Sequence, residues 1–268
     1  MAIADAGMER RPFQAIAGFY SRYRPPWPDA VFTRIRERFS LDGKGRLLDL
    51  GCGPGNIILS LARYVEEAVG VDAEPDMLAE ARAAGFRLGL RNVTWMQARA
   101  EDLADADFRA RVGQFRLVTM GMSFHWMDRE RVLAGVYAML LPGGGLAIIG
   151  QDVANTSLRR IVDETLMKFL GESPHPHADR PVQNERHEEV VARTPFTGFE
   201  TVTIPYKRLW NVDQIIGWVY SFSDGAYFRL GDRRPEFERM LRDRLFPLDS
   251  TGVFSENVSA EIILAWKT

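Results

Sequence analysis

An α/β fold, built on a parallel sheet with helices on both faces, is what the order of elements predicts for this chain. Three observations predict it. Short β-rich apolar runs alternate with helical patterns from about residue 46 to residue 150. The first of these runs, "LLDL", has the look of a strand buried in the core. The chain is also long and apolar enough, at 268 residues and 46% hydrophobic, to close a full core.

The elements follow in order. "GRLLDL" reads as the first strand and "NIILSLARYVEE" as a helix. "AVGVD" is a second strand that ends at Asp72. "PDMLAEARAAG" reads as a helix, with Pro75 in its first turn and Gly85 as its stop. "NVTWMQ" and "FRLVTMG" are the third and fourth strands. "DRERVLAGVYAML" is a helix that Asp128 caps. "LPGGG" is a turn and "LAIIG" a fifth strand. Connections between parallel strands are expected to be right-handed. Further on, "TSLRRIVDETLMKFLG" is helical and "ESPHPHADRPVQ" is a polar loop. "FETVTIPYKRLW" and "SAEIILAWK" read as strands, with helical spacing between them in "VDQIIGWVYSFS" and "RPEFERMLRDRLF". Residues 1–40 read as helical, interrupted by "RYRPPWPD".

Composition narrows the function. The net charge of −2 gives no field that would draw nucleic acid or an anionic membrane. One cysteine, Cys52, rules out an internal disulfide framework and a cysteine-built zinc site. The first residues lack the apolar core of a secretory signal, and no run of about 18 apolar residues occurs. The expectation is a cytoplasmic protein without a membrane or nucleic-acid partner. Oligomeric state is not legible.

The stretch "LLDLGCGPGN" carries most of the chemistry. A dinucleotide fingerprint is G-x-G-x-x-G. Here Gly51, Gly53 and Gly55 are spaced G-x-G-x-G, and Asn56 stands where the third fingerprint glycine would be. Asp49 ends the apolar run beside this loop. A carboxylate there repels a pyrophosphate and attracts an ammonium or sulfonium. Asp72 ends the next strand, where an acid accepts hydrogen bonds from ribose hydroxyls. Alternatively, Asp72 caps the following helix. A ligand with a cationic group at one end and a ribose at the other satisfies both acids, and S-adenosylmethionine is such a ligand.

These residues make the sequence resemble a known family. "LLDLGCGPG" and "GVDAEPDML" resemble motifs I and II of class I S-adenosylmethionine-dependent methyltransferases. The likeness extends to "ARAEDL", "VTMGMSFHWMDRE" and "LLPGGGLAIIG". "YSRYRPPWP" resembles the entry segment of a trans-aconitate-methyltransferase-like (methyltransferase type 11) subgroup. Together the motifs cover about residues 20–150.

The resemblance implies a Rossmann-like sheet of seven strands, mostly parallel with the last antiparallel, and added helices forming a lid. It implies a division into an N-terminal helical segment (1–40), a cofactor-binding core (41–153), and a region of lid helices and the last two strands (154–268). It implies S-adenosyl-L-methionine as cofactor and methyl transfer to an O, N or C atom of a small molecule, in secondary metabolism. Asp49, Gly51 and Gly53 would line the methionine and ribose end. Asp72 and Ala73 would sit at the ribose, Met77 on the adenine, and Ala100 with Glu101 along the adenine edge. Met120 and Gly121 would offer backbone near the methionine ammonium, and Tyr20 and Arg24 would close over its carboxylate. Many relatives have Asp where this chain has Arg99, which leaves the adenine amino contact open. Met77 could equally be core.

His125, in "SFHWMD", follows the fourth strand. It reads either as a base for a substrate hydroxyl or amine, or as a pocket wall with Trp126. His175, His177 and His187 lack the acids or cysteines that would complete a metal site, so no metal is expected. Phe13, Phe19, Trp27, Trp210, Trp218, Tyr220, Phe222, Tyr227 and Phe228 either roof an apolar pocket or form the core of the added helices. Two rivals remain at this point: a binding or regulatory protein of the same fold, and an enzyme that uses the sulfonium to aid cyclisation or rearrangement.

Overall fold

The computed structural model describes residues 16–152, 156–171, 185–223 and 225–268. Strands β1 (Arg46–Leu50), β2 (Glu67–Asp72), β3 (Val93–Gln97), β4 (Phe115–Gly121), β5 (Leu140–Asp152), β6 (Gly198–Asn211) and β7 (Val253–Trp266) form one sheet in the order β3-β2-β1-β4-β5-β7-β6. The β1–β2, β1–β4, β2–β3 and β4–β5 pairs are parallel. β7 runs antiparallel to both β5 and β6. The expected sheet, with its single reversed last strand, is therefore present. β6 is the edge strand, which is why it tolerates Pro205.

Successive residues of a strand point to opposite faces. Leu47, Leu117, Ala147 and Ile262 pack on one side, against α2 (Asp29–Arg38) and α3 (Ile58–Leu61). Leu48, Val118, Ile148 and Ile263 pack on the other, against α5 (Ala106–Val112), α6 (Arg129–Met139) and α8 (His187–Ala192). Burial on both faces explains the continuous apolar runs. A separate core joins α7 (Ser157–Leu170), α9 (Val212–Tyr220), α10 (Ala226–Leu230) and α11 (Arg234–Leu245) around Trp210, Trp218 and Phe237. α1 (Ala17–Tyr23) lies on α9. Gly217 makes this close approach possible, since a Cβ there would sit 2.3 Å from the Tyr23 ring.

Three local expectations are corrected. α4 (Pro75–Arg87) does not stop at Gly85. Gly89, at φ +67, takes the left-handed position instead. Its N–H donates to the Phe86 carbonyl at 3.0 Å, and that of Leu90 donates to Gly85 at 3.1 Å, closing a Schellman motif. The helix after β1 is shorter than its pattern, because the glycine turn delays it to Ile58 and a 3-10 turn ends it at Tyr64. "LPGGG" is not a free turn. Phe115 pairs with Leu140 and Leu117 with Gly145, so residues 141–144 are an irregular insert within β5, tied by Gly143 and Gly144 to Lys267. The sequence also gave no warning of α5, whose seven residues are capped by Asp105.

Candidate functional site

The carboxyl ends of β1, β4 and β5 converge on one cleft, the place where open α/β sheets hold ligands. Of the residues expected there, Tyr20, Arg24, Asp49, Gly51, Gly53 and Gly121 line it.

Asp49 is the most telling. It is buried, and its Oδ1 accepts a 2.7 Å hydrogen bond from Thr119 Oγ1. Its Oδ2 is buried without a hydrogen-bond partner. Burial pushes its pKa up to about 7, against the Thr119 hydroxyl and the Ile58 backbone, which favour the charged form; the nearby Asp72 charge adds to the rise. A half-satisfied buried carboxylate is costly unless a cation or donor meets it.

Asp72 clamps the glycine loop. Its Oδ2 accepts from Gly53 N at 2.8 Å and its Oδ1 from Glu74 N at 2.9 Å. Its pKa is also raised, mainly by burial, with these backbone bonds opposing. Gly51 and Gly53 have φ of +62 and +53. At Gly51 a Cβ would lie 2.6 Å from that of Ser123; at Gly53 it would meet no atom within 4 Å, so this backbone stands open to the cleft. Cys52 is buried, and its thiol is pushed well above the usual range by burial and then by the two aspartates, which suits a packing role.

Arg24 faces this acidic end from the C-terminal end of α1. Its Nε donates to Ser221 Oγ at 2.9 Å and its Nη2 to the Ser221 carbonyl at 3.0 Å, while its guanidinium lies 4.7 Å from the Tyr20 ring centroid.

The remaining expected residues, Asp72 and His125 among them, lie outside the lining. Ala73 is exposed after β2, Met77 is buried in the first turn of α4, and Ala100 and Met120 belong to the core beneath the sheet. Glu101 is engaged twice: Oε1 accepts from Asp128 N at 3.0 Å and Oε2 from Arg99 Nε at 3.3 Å. Arg99 is thus turned to Glu101 and otherwise exposed.

His125 sits in a 3-10 turn, Phe124–Trp126, beside the Trp126 ring. Its pKa is lowered to about 4, first by burial and then by His187, Arg129 and Arg24. A value this low keeps the ring largely neutral near pH 7. His187, at the start of α8, lies edge-on to Phe124 and takes Arg129 Nη1 against its Nδ1 at 3.3 Å. His175 and His177 lie outside the described residues. Among the described residues no three His, Cys, Asp or Glu groups are placed to hold a metal, and no helix is long and apolar enough to cross a membrane.

Sequence reading missed Asn56, Met122 and Gln151 in the lining. Met122 adopts φ +52, uncommon for a side chain of its size, at the turn out of β4. Its signal was its place immediately after Gly121. Among the aromatics, Trp27 and Trp218 line the cleft, while Trp210, Trp218, Tyr220 and Phe222 belong to the helical core. Phe228 is exposed, and Phe13 is outside the described residues.

Comparison with known proteins agrees with this geometry. A family described as "Methyltransferase domain" matches residues 47–144. A trans-aconitate 2-methyltransferase of Azoarcus sp. is 31% identical over 170 residues, 58% of this chain and 60% of that protein. A ubiquinone biosynthesis O-methyltransferase of Xylella fastidiosa is 30% identical over 178 residues, 62% of this chain and 70% of that protein. Over the first three curated relatives, the match spans 40%, 60% and 64% of their length. In fold, the chain is similar to an S-adenosylmethionine-dependent methyltransferase of Geobacter sulfurreducens solved with S-adenosyl-L-homocysteine. The TM-score is 0.54 at 16% identity, over 96% of this chain and 98% of that one. The chain belongs to the S-adenosylmethionine-dependent class I methyltransferases.

Proposed function

We propose that this chain transfers a methyl group from S-adenosylmethionine to an oxygen, nitrogen or carbon atom of a small molecule. The observation that carries the reading is the bare, buried Oδ2 of Asp49 in a cleft walled by an open glycine loop. The residues fit the cofactor: two acids for its cationic and ribose parts, and Arg24 for its carboxylate. Two matched relatives are named for trans-aconitate and for ubiquinone biosynthesis, which supports a small acceptor.

The cofactor supplies a methyl group already activated by its sulfonium. The chain supplies position and dryness. Asp49 Oδ2 receives the ammonium. Asp72 holds the loop through Gly53 and offers its remaining lone pairs to the ribose diol. Gly51 and Gly53 let the backbone approach, and Gly121 adds backbone at the far wall, with Met120 beneath it. Ala73, Met77, Ala100 and Glu101 border the adenine. Tyr20 and Arg24 close the carboxylate end from α1, and Trp27 and Trp218 keep water out.

Calorimetric titration with S-adenosylhomocysteine tests this. Asp72→Ala should weaken binding by about 1.5–3 kcal/mol, the size of a hydrogen bond to a charged acceptor, and NAD should give no heat. Unchanged affinity in the variant would place the ribose elsewhere. Hydrogen exchange gives a second check: amides of residues 17–24 should gain protection with S-adenosylhomocysteine, because its carboxylate would bond the Arg24 guanidinium and hold this segment on the site. Equal exchange in both states speaks against the lid.

His125 is outside the residues that line the cleft, and its role in this account is to support the site rather than to move a proton. A group with a pKa of about 4 is a weak proton acceptor at neutral pH. His125→Asn should keep turnover within about 10-fold, with any loss chiefly in KM. A drop of about 10²-fold or more, with loss of an acid limb from the pH profile, would make it the base instead.

A further inference from the structure

Past the end of β5, where Asp152 pairs with Ser259, β6 and β7 continue as a two-stranded antiparallel ribbon to Asn211 and Val253. Tyr206, Arg208 and Trp210 are alternate residues of β6 and share one face. Glu256 stands directly opposite Arg208. The Arg208 and Glu256 side chains are only 5% and 4% exposed.

Their pairing is lopsided. Arg208 Nε and Nη2 donate to Glu256 Oε2 at 3.1 and 2.7 Å, and Trp210 Nε1 donates to the same oxygen at 2.9 Å. Three donors converge on one oxygen. Oε1 of that carboxylate and Nη1 of that guanidinium are both buried without a partner. A fork-to-fork pairing would have used both oxygens. Bare polar atoms at this depth are rare and costly, and each calls for a reason.

The pair stands one layer of side chains behind the cleft. Gln151, in the cleft wall, donates a hydrogen bond to the Tyr206 hydroxyl, two residues from Arg208. Trp218, also in the wall, packs on Trp210 with ring centroids 5.2 Å apart. Both neighbours of the pair on β6 therefore touch residues that line the cleft.

We propose that Arg208 Nη1 and Glu256 Oε1 form a recognition subsite for the methyl acceptor, and that it takes a neutral group offering an acceptor and a donor together, a hydroxyl or a carboxamide. This rests on the methyltransferase reading of the cleft. The two charges of the pair already cancel. An added anion would face Glu256 and an added cation would face Arg208, each without compensation. A hydroxyl or amide satisfies both bare atoms and adds no net charge. Gln151 and Trp218 are the cleft residues nearest the pair, through Tyr206 and Trp210, and a group entering the subsite must come between them.

The test uses the full chain saturated with S-adenosylhomocysteine and four probes: benzamide, phenol, benzoate and benzylamine. The reporter is the Trp210 indole N–H resonance, assigned with Trp210→Phe. Benzamide and phenol should shift it saturably, and benzoate and benzylamine should not at equal concentration. Glu256→Gln should weaken benzamide by about tenfold or more, as for a lost charged hydrogen bond, with S-adenosylhomocysteine affinity kept. A resonance that no probe moves, or that the charged probes move equally, overturns the subsite; so does undiminished benzamide binding by Glu256→Gln. A wild-type chain that fails to bind S-adenosylhomocysteine overturns the cofactor reading instead, and the subsite with it.

Discussion

Asp49→Asn should make the free protein more stable above pH 7 and, at the same time, cost it the cofactor. Burial holds the folded-state pKa of Asp49 at about 7, against an ordinary aspartate value of 3.8. Between those values the native state keeps a proton that the unfolded chain has released. Stability therefore falls as pH rises from about 4 to about 7, by something on the order of 2–4 kcal/mol, and is level above that. Asparagine is isosteric and neutral, and its Oδ1 can still accept from the Thr119 hydroxyl. The variant should lack this slope. It should melt higher than wild type at pH 8 and converge with it near pH 4. Thermal unfolding across pH 4–8.5 measures this, and parallel curves for the two proteins would contradict it. Binding moves the other way, because an ammonium facing Oδ2 loses its charged partner. Truncating one side of a buried charge pair costs about 2–5 kcal/mol. The site is thus kept less stable than it could be, as expected where function needs a bare charge.

Glu256→Ala should destabilise the protein by about 3–5 kcal/mol, because it strands the Arg208 guanidinium in a buried position. Trp210 Nε1 loses its acceptor as well. The double change Arg208→Met with Glu256→Leu should recover most of the loss, since apolar side chains of similar volume carry no desolvation cost. The two sites are in contact, so the single effects will not add. Urea unfolding of both single variants and the double decides it. A Glu256→Ala protein within about 1 kcal/mol of wild type would show that the pair is not carrying a buried charge.

Much of this was legible because strand and loop chemistry is local. Apolar runs such as "LLDL" declare strands buried on both faces. Asp49 and Asp72 announced themselves by ending two such runs beside glycines that reach positive φ. Residues assembled by the fold were harder. Gln151 and Trp218 meet across the cleft from β5 and α9, and no spacing relates them. The aromatics of 210–228 divided between wall and core in a way that only packing decides. Arg208 and Glu256 sit 48 positions apart and are paired by the register of a two-stranded ribbon extending past the sheet. Gly85 misled because its lack of a side chain suggested a stop, whereas the left-handed conformation falls at Gly89. His125 kept its place next to the fourth strand, but its titration depends first on burial by the fold and then on His187, Arg129 and Arg24, three residues from three separate parts of the chain.

Calorimetric titration of the wild-type and Asp49→Asn proteins with S-adenosylhomocysteine, at pH 6, 7 and 8, tests the central claim most directly. Wild type should bind one equivalent, more weakly at pH 6 than at pH 8, because a protonated Asp49 must first release its proton. Asp49→Asn should bind at least about 30-fold more weakly at pH 8 and show no such pH dependence. No heat with wild type, or equal affinity in the two proteins at every pH, would contradict a cofactor site built around Asp49.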